Sequence, residues 1–172
     1  DGASLKTVVE NPTTYWDKGL DFRWKLLMNR KEKITVLGTP SLYKKSMLED
    51  ENFSGKDISA GDDTDLGQRL INKAYKLGIV DMNVFDKNMW TFAETYNRFK
   101  WYGTGDYYFY RDNSGKWKLS RKIKSLTHPL RQSVSYSYIA LISGSPIIIG
   151  WFFITMLARY SGWVSEYFNS RN

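Results

Sequence analysis

Few residues in this chain have the type and spacing to do chemistry. His128 is the single histidine and there are no cysteines. Cysteine nucleophiles, thiolate zinc sites, disulfides and iron–sulfur clusters are therefore absent, and a serine–histidine pair or a histidine-rich metal site has at most one imidazole to use. His128 stands beside Pro129, just before the longest apolar stretch, where a neutral imidazole could ligate the magnesium of a chlorophyll; the plainer alternative is a headgroup-level histidine bonded to a neighbour. Carboxylates are the remaining candidates. Glu94 has no acid at a spacing that marks a glycosidase-like pair. Asp62, Asp63 and Asp65 resemble a hard-cation cluster, but the spacing departs from the twelve-residue calcium loop and suits acids at a helix start. Gly103 and Gly105 lack the third glycine and the strand-to-helix context of a dinucleotide site and read as a break. No catalytic set emerges, so the chain is expected not to be an enzyme, with no cofactor required and no metal.

The elements that would carry these residues are short. Phe22 to Met28 among basic residues suggest an amphipathic helix over 21–33 with Asp21 as N-cap, packed on its own domain or pressed against headgroups. Ile34–Leu37 suggests a strand, and 42–51 a brief helix. Leu66, Leu70, Ile71, Ala74 and Leu77 recur at helical spacing over 64–77, with Gly78 as the expected C-terminal stop. Asp86 is a candidate N-cap for a helix over 88–101. Two aromatic runs, 106–111 and 116–121, flank Asp112-Asn113-Ser114-Gly115 and predict a β-hairpin. Its interleaved aromatic and basic residues would also suit stacking on bases.

The most telling stretch is Tyr136–Ala158, twenty-three residues without a charge, long enough at about 1.5 Å per residue to cross a core of roughly 30 Å. Lys116, Lys118, Arg121, Lys122, Lys124 and Arg131 precede it with no intervening acid, and Trp151, Arg159, Tyr160 and Trp163 complete a set of membrane-surface anchors. Ser137, Ala140 and Gly144 share one helical face on which a neighbouring helix or flat pigment could sit, and Pro146 should kink the helix. The mean hydropathy of −0.49 hides this span, because the preceding residues are polar. The net charge of +7 is concentrated there too: Arg159, Arg171 and Glu166 are the only charges beyond residue 132.

The fold class read from this is α+β, a small aromatic-rich domain of short helices and a β-hairpin followed by one C-terminal transmembrane helix. The boundaries expected are 1–132 for the extramembrane domain with its extended N-terminal segment, 133–160 for the helix and 161–172 for a tail on the opposite side. A start at Asp1 suggests a removed leader, and the basic flank favours import into a stroma or matrix over export. The Asn52-Phe53-Ser54 sequon is the one contrary sign. The function this suggests is a non-catalytic accessory subunit of an energy-transducing membrane complex, a photosystem in the thylakoid ahead of a respiratory complex or ATP synthase in the mitochondrial inner membrane. Its partners would be other subunits and lipids, with chlorophyll or carotenoid as optional ligands. A membrane-tethered module for nucleic acid or an acidic protein is the alternative.

Overall fold

In the computed structural model, residues 1–28, 40–51, 62–87 and 90–170 are described. Within them the chain is α+β, with seven α-helices and a three-stranded sheet. It divides into two compact units. One is drawn from Asp1–Pro12, Leu20–Asp57 and Asp62–Asn88, the other from Thr13–Gly19 and Met89–Asn172. The main division along the chain falls near residue 88.

The first unit is built on β1 (Gly2–Val9), which lies between β2 (Ser41–Tyr43) and β3 (Leu77–Asp86). β1 runs antiparallel to β2 and parallel to β3. Neither long strand is among the elements expected from the sequence, where the 1–132 domain opens only with an extended N-terminal segment and Asp86 is a candidate cap. Their signal is the β-branched and alternating content of Ser4-Leu5-Lys6-Thr7-Val8-Val9 and Ile79-Val80. The register slips between Leu5 and Lys6, and the buried side of β1 changes there from Gly2 and Ser4 to Thr7 and Val9. Lys6 meets Asp81 at 2.6 Å beside the irregularity.

Helix α1 (Tyr15–Met28) starts six residues before the expected Asp21, because Thr14 and Asp17 form a reciprocal cap. The predicted extension to residue 33 and the strand at 34–37 lie outside the described residues, as does the sequon. Helix α2 (Lys45–Asp50) matches the expectation for 42–51 in its second half. Helix α3 (Asp62–Asn72) carries Asp62, Asp63 and Asp65 in its first turn, where the helix dipole favours acids. Burial nonetheless raises the Asp63 carboxyl above its usual value, only partly offset by hydrogen bonds from Thr64 and its own backbone N–H. Leu66 and Leu70 of α3 and Met47 of α2 are completely buried and form the core, with Tyr43, Leu48, Tyr75 and Leu77 around it. Arg69 bridges Asp65 and Glu51, and Lys73 bridges Asp50 and Glu51. Helix α3 stops before Gly78. Ala74, at φ +64°, closes it, with Tyr75 N–H donating to Leu70 O at 3.1 Å and Ala74 N–H to Ile71 O at 2.9 Å. That is a Schellman ending with an alanine in the place glycine usually takes.

The second unit is helical among its described residues: α4 (Phe92–Asn113), α5 (Leu119–Leu126), α6 (His128–Ile142) and α7 (Ile149–Asn169). The predicted β-hairpin is not formed. Residues 106–111 continue α4, and 116–121 pass from a 3₁₀ turn at Ser114–Lys116 into α5. The physical reason is that Thr95, Phe99, Gly103 and Tyr107 recur every four residues as the buried face of α4. That stripe outweighs the local β-propensity of Tyr107-Tyr108-Phe109-Tyr110. The expected turn at 112–115 does reverse the chain, and Trp117 folds back onto Phe109 and Tyr110 with ring centroids 5.7 and 6.1 Å away.

Candidate membrane-facing site

Helices α4 and α7 set the frame. They run parallel, with Phe99 against Trp151, Tyr107 against Trp163 and Tyr108 bonded to Glu166. At their crossing a Cβ on Gly103 would fall 1.9 Å from the Arg159 carbonyl oxygen, and one on Gly162 would fall 1.9 Å from the Lys100 carbonyl oxygen. The two backbones touch reciprocally, which only glycine permits. Gly103 is thus a packing residue inside α4 rather than the expected break. A third close approach seats the Trp151 indole on Gly19 of α1, where a Cβ would lie 2.3 Å from the ring. Trp151, expected at the membrane surface, is only 1% exposed.

A polar cluster ties α4, α6 and α7 together. Arg159 Nε and Nη2 donate to the two carboxylate oxygens of Asp106 at 2.8 and 2.7 Å, and Nη1 donates to Gln132 at 3.1 Å. Such a two-pronged pair fixes direction as well as distance. Arg159 is therefore turned into the helix cluster instead of toward headgroups. Tyr160 donates to Leu126 O at 3.0 Å, and Trp163 stacks on Tyr167 with centroids 5.6 Å apart.

The uncharged stretch Tyr136–Ala158 is divided between two helices. α6 ends in a Schellman motif, with Ser145 N–H donating to Ala140 O at 2.8 Å and Gly144 N–H to Leu141 O at 3.3 Å. Gly144 sits at φ +75° with open space around it. It is the turn residue and does not belong to a helical contact face with Ser137 and Ala140, both of which are buried. Pro146 opens a 3₁₀ turn, Pro146–Ile148, so it begins a new element where a kink was expected. α7 then returns along α6: Ser133 Oγ donates to Phe152 O at 2.9 Å, and the Tyr136 and Phe152 rings meet edge to face at 5.4 Å. Among the described residues one helix, Pro146–Asn169, is long and apolar enough to cross a membrane.

The outer faces are apolar. Leu130, Val134, Tyr138, Leu141 and Ile142 on α6, and Phe153, Leu157, Val164 and Phe168 on α7, are exposed. So are Leu119, Ile123 and Leu126 of α5, a helix with no buried residue. Around α5, Lys116, Lys118, Arg121, Lys124 and Arg131 are exposed and Lys122 is half-buried. Arg131 also donates to the Lys124 carbonyl at 2.6 Å.

His128 opens α6 and is exposed. Among the described residues no three of His, Asp and Glu gather in a way that could hold a metal ion. Glu94 serves as the far half of a capping box with Thr91, and the hydrogen bonds from Thr91 hold its carboxyl below the usual value. Asp86, the expected cap, lies in β3. Reasoning from sequence also passed over Asp17, which is 2% exposed. It accepts from the Trp90 N–H at 2.7 Å and from the Thr14 N–H at 3.1 Å. Burial pushes its carboxyl up, and the bonds from Trp90, Thr14 and Thr13 together outweigh that and leave it low. The Thr14-x-x-Asp17 and Thr91-x-x-Glu94 spacings were the available signals. Asp106 and Arg159, fifty-three residues apart, carried none.

No protein family, characterised protein or solved structure matches this chain.

Proposed function

We propose that the protein is a non-catalytic accessory subunit attached to a membrane through α5–α7, where it holds neighbouring subunits of a larger complex in place. The observation that carries this reading is the distribution of polarity in the second unit. Its polar groups bond inward across helices, in the Asp106–Arg159–Gln132 cluster and the Tyr108–Glu166 pair, while the outward faces of α5, α6 and α7 carry exposed large apolar side chains. Exposed apolar surface of that extent marks contact with lipid or protein. The apolar length of Pro146–Asn169 favours lipid as part of it. The proposed parent is an energy-transducing assembly, a photosystem first and a respiratory complex or ATP synthase second, with the domain on the stromal or matrix side; this placement rests on the charge pattern and residue types alone. The nucleic-acid alternative is less well supported, because Tyr107, Phe109 and Tyr110 turn their rings onto Trp163 and Trp117 instead of offering a stacking platform.

The test is fractionation of the native membrane. After alkaline carbonate washing the chain should remain with the membrane, and in mild detergent it should migrate with a large complex. Release by carbonate would refute membrane attachment, and migration as a free monomer would refute the subunit role.

A further inference from the structure

The exposed apolar residues of α5 and α6 form one line. Leu119, Ile123, Leu126, Leu130, Val134, Tyr138 and Leu141 follow one another at steps of three or four, across a junction of a single residue, Thr127, and all are exposed, Leu119 at 73% and Tyr138 at 63%. The helical bonding continues through that junction, with Thr127 N–H donating to Ile123 O and Arg131 N–H to Thr127 O, each at 2.9 Å. From Leu119 to Leu141 the line is about 33 Å long. Lys118, Arg121, Lys122, Lys124 and Arg131 flank it on both sides, and no acid occurs from Lys116 to Arg131.

Two features argue against a crossing. The basic residues through Arg131 keep α5 and the start of α6 out of the hydrocarbon, and the uncharged remainder of α6, residues 132–142, about 16 Å long, falls short of a core of roughly 30 Å. Beyond the Ser143–Ile148 reversal, α7 returns to the level of α5, where Tyr160 bonds to Leu126. Resting on the membrane reading above, we infer that α5 and α6 lie in the plane of one anionic leaflet, with the Leu119–Leu141 line at the boundary of headgroups and acyl chains. The end of α7 then emerges on the same side as α5. The flanking charge decides the occupant. A partner helix at this spacing would be met by charges of both signs, whereas the wholly basic border along the first half of the line, from Lys118 to Arg131, complements anionic headgroups.

The chain has no cysteine, so single cysteines report cleanly. The full chain is mixed with vesicles of phosphatidylcholine, alone or with phosphatidylglycerol, and followed by flotation. It should float with the anionic vesicles, and an environment-sensitive dye on Ile123→Cys or Val134→Cys should shift to the blue only with them. Replacing Arg121, Lys122 and Lys124 by glutamine should weaken that partition about a hundredfold. A membrane-impermeant maleimide added outside should label Ser120→Cys and Asn169→Cys alike. Labelling of Asn169→Cys only after the vesicles are opened overturns the in-plane inference and leaves attachment standing. Equal flotation with both lipids overturns the anionic preference. A blue shift that needs protein concentration and no vesicle assigns the line to a protein partner. Failure to float with either composition overturns membrane attachment itself.

Discussion

Replacing Gly162 by alanine tests the α4–α7 crossing most directly, because the sign of the effect is itself diagnostic. At an open helical position glycine to alanine is stabilising by about 1 kcal/mol. Here the new Cβ would fall 1.9 Å from the Lys100 carbonyl oxygen. A relaxed carbon–oxygen contact is about 3.3 Å, so the helices must part by about 1.4 Å. That movement carries Arg159, three residues earlier on α7, away from Asp106 on α4, loosening bonds of 2.7 and 2.8 Å. Overpacking of this kind costs about 1–3 kcal/mol. Adding the loosened ion pair and subtracting the gain in helix propensity leaves a net loss of about 2 kcal/mol. The assay is urea unfolding of the detergent-solubilised chain, read by tryptophan fluorescence, to which Trp151 and Trp163 on α7 contribute with five others. Gly115→Ala is the control, since nothing lies within 4 Å of a Cβ there, and it should stay within about 0.5 kcal/mol of the parent. Gly103→Ala should behave as Gly162→Ala does, and the double variant should lose less than the sum, because helices already parted accept the second methyl. Unchanged or higher stability of Gly162→Ala, or strict additivity, would refute the close crossing.

Four further outcomes are expected. Ala74→Gly should stabilise the first unit by about 0.5–1 kcal/mol, read as a raised urea midpoint, because it relieves a left-handed alanine at φ +64°. Gly144→Ala should cost about 1–2 kcal/mol although nothing lies within 4 Å, since only the φ of +75° resists the side chain; equal stability would show that the α6–α7 turn is not in this conformation. Asp17 has a lowered folded pKa, so its contribution is fully present above the ordinary aspartate value near about 3.9 and is lost as pH falls through the folded value. Asp17→Asn should therefore be less stable at neutral pH and show a flatter decline in acid, measured by unfolding at a series of pH values. A double-mutant cycle on Asp106→Ala and Arg159→Ala should give a coupling of about 1 kcal/mol, modest because Asp106 is partly exposed; independent effects would remove the ion pair as a link between α4 and α7.

Much of the local structure could be read in advance. The stripe of Leu66 and Leu70 marked α3 and supplied the core of the first unit. The acids at 62–65 lie in its first turn, and the turn at 112–115 reverses the chain. The strands β1 and β3 were harder. They pair in parallel across about seventy-five residues, and neither shows a hairpin-type turn beside it. Residues 106–111 are ambiguous in sequence for a definite reason. Tyr107-Tyr108-Phe109-Tyr110 suits either period, and the deciding partner, Trp163, lies far along the chain. At the site, the apolar and basic composition was legible, while the roles of Trp151, Arg159 and Gly144 were not.

By itself the sequence determined the inventory: one histidine, no cysteine, a basic border, and a stretch of twenty-three residues without a charge. Those properties depend on residue type and local order, which no packing can change. Only the tertiary structure decided that this stretch turns back at Gly144 and Pro146. It alone brought Gly103 to Gly162 and Asp106 to Arg159, and left the line from Leu119 to Leu141 without a partner among the described residues. Whether an apolar side chain faces its own core or the surroundings depends on which distant helix reaches it first. Here α4 and α6 cover one side of α7, and the described residues leave the outer faces of α5, α6 and α7 uncovered.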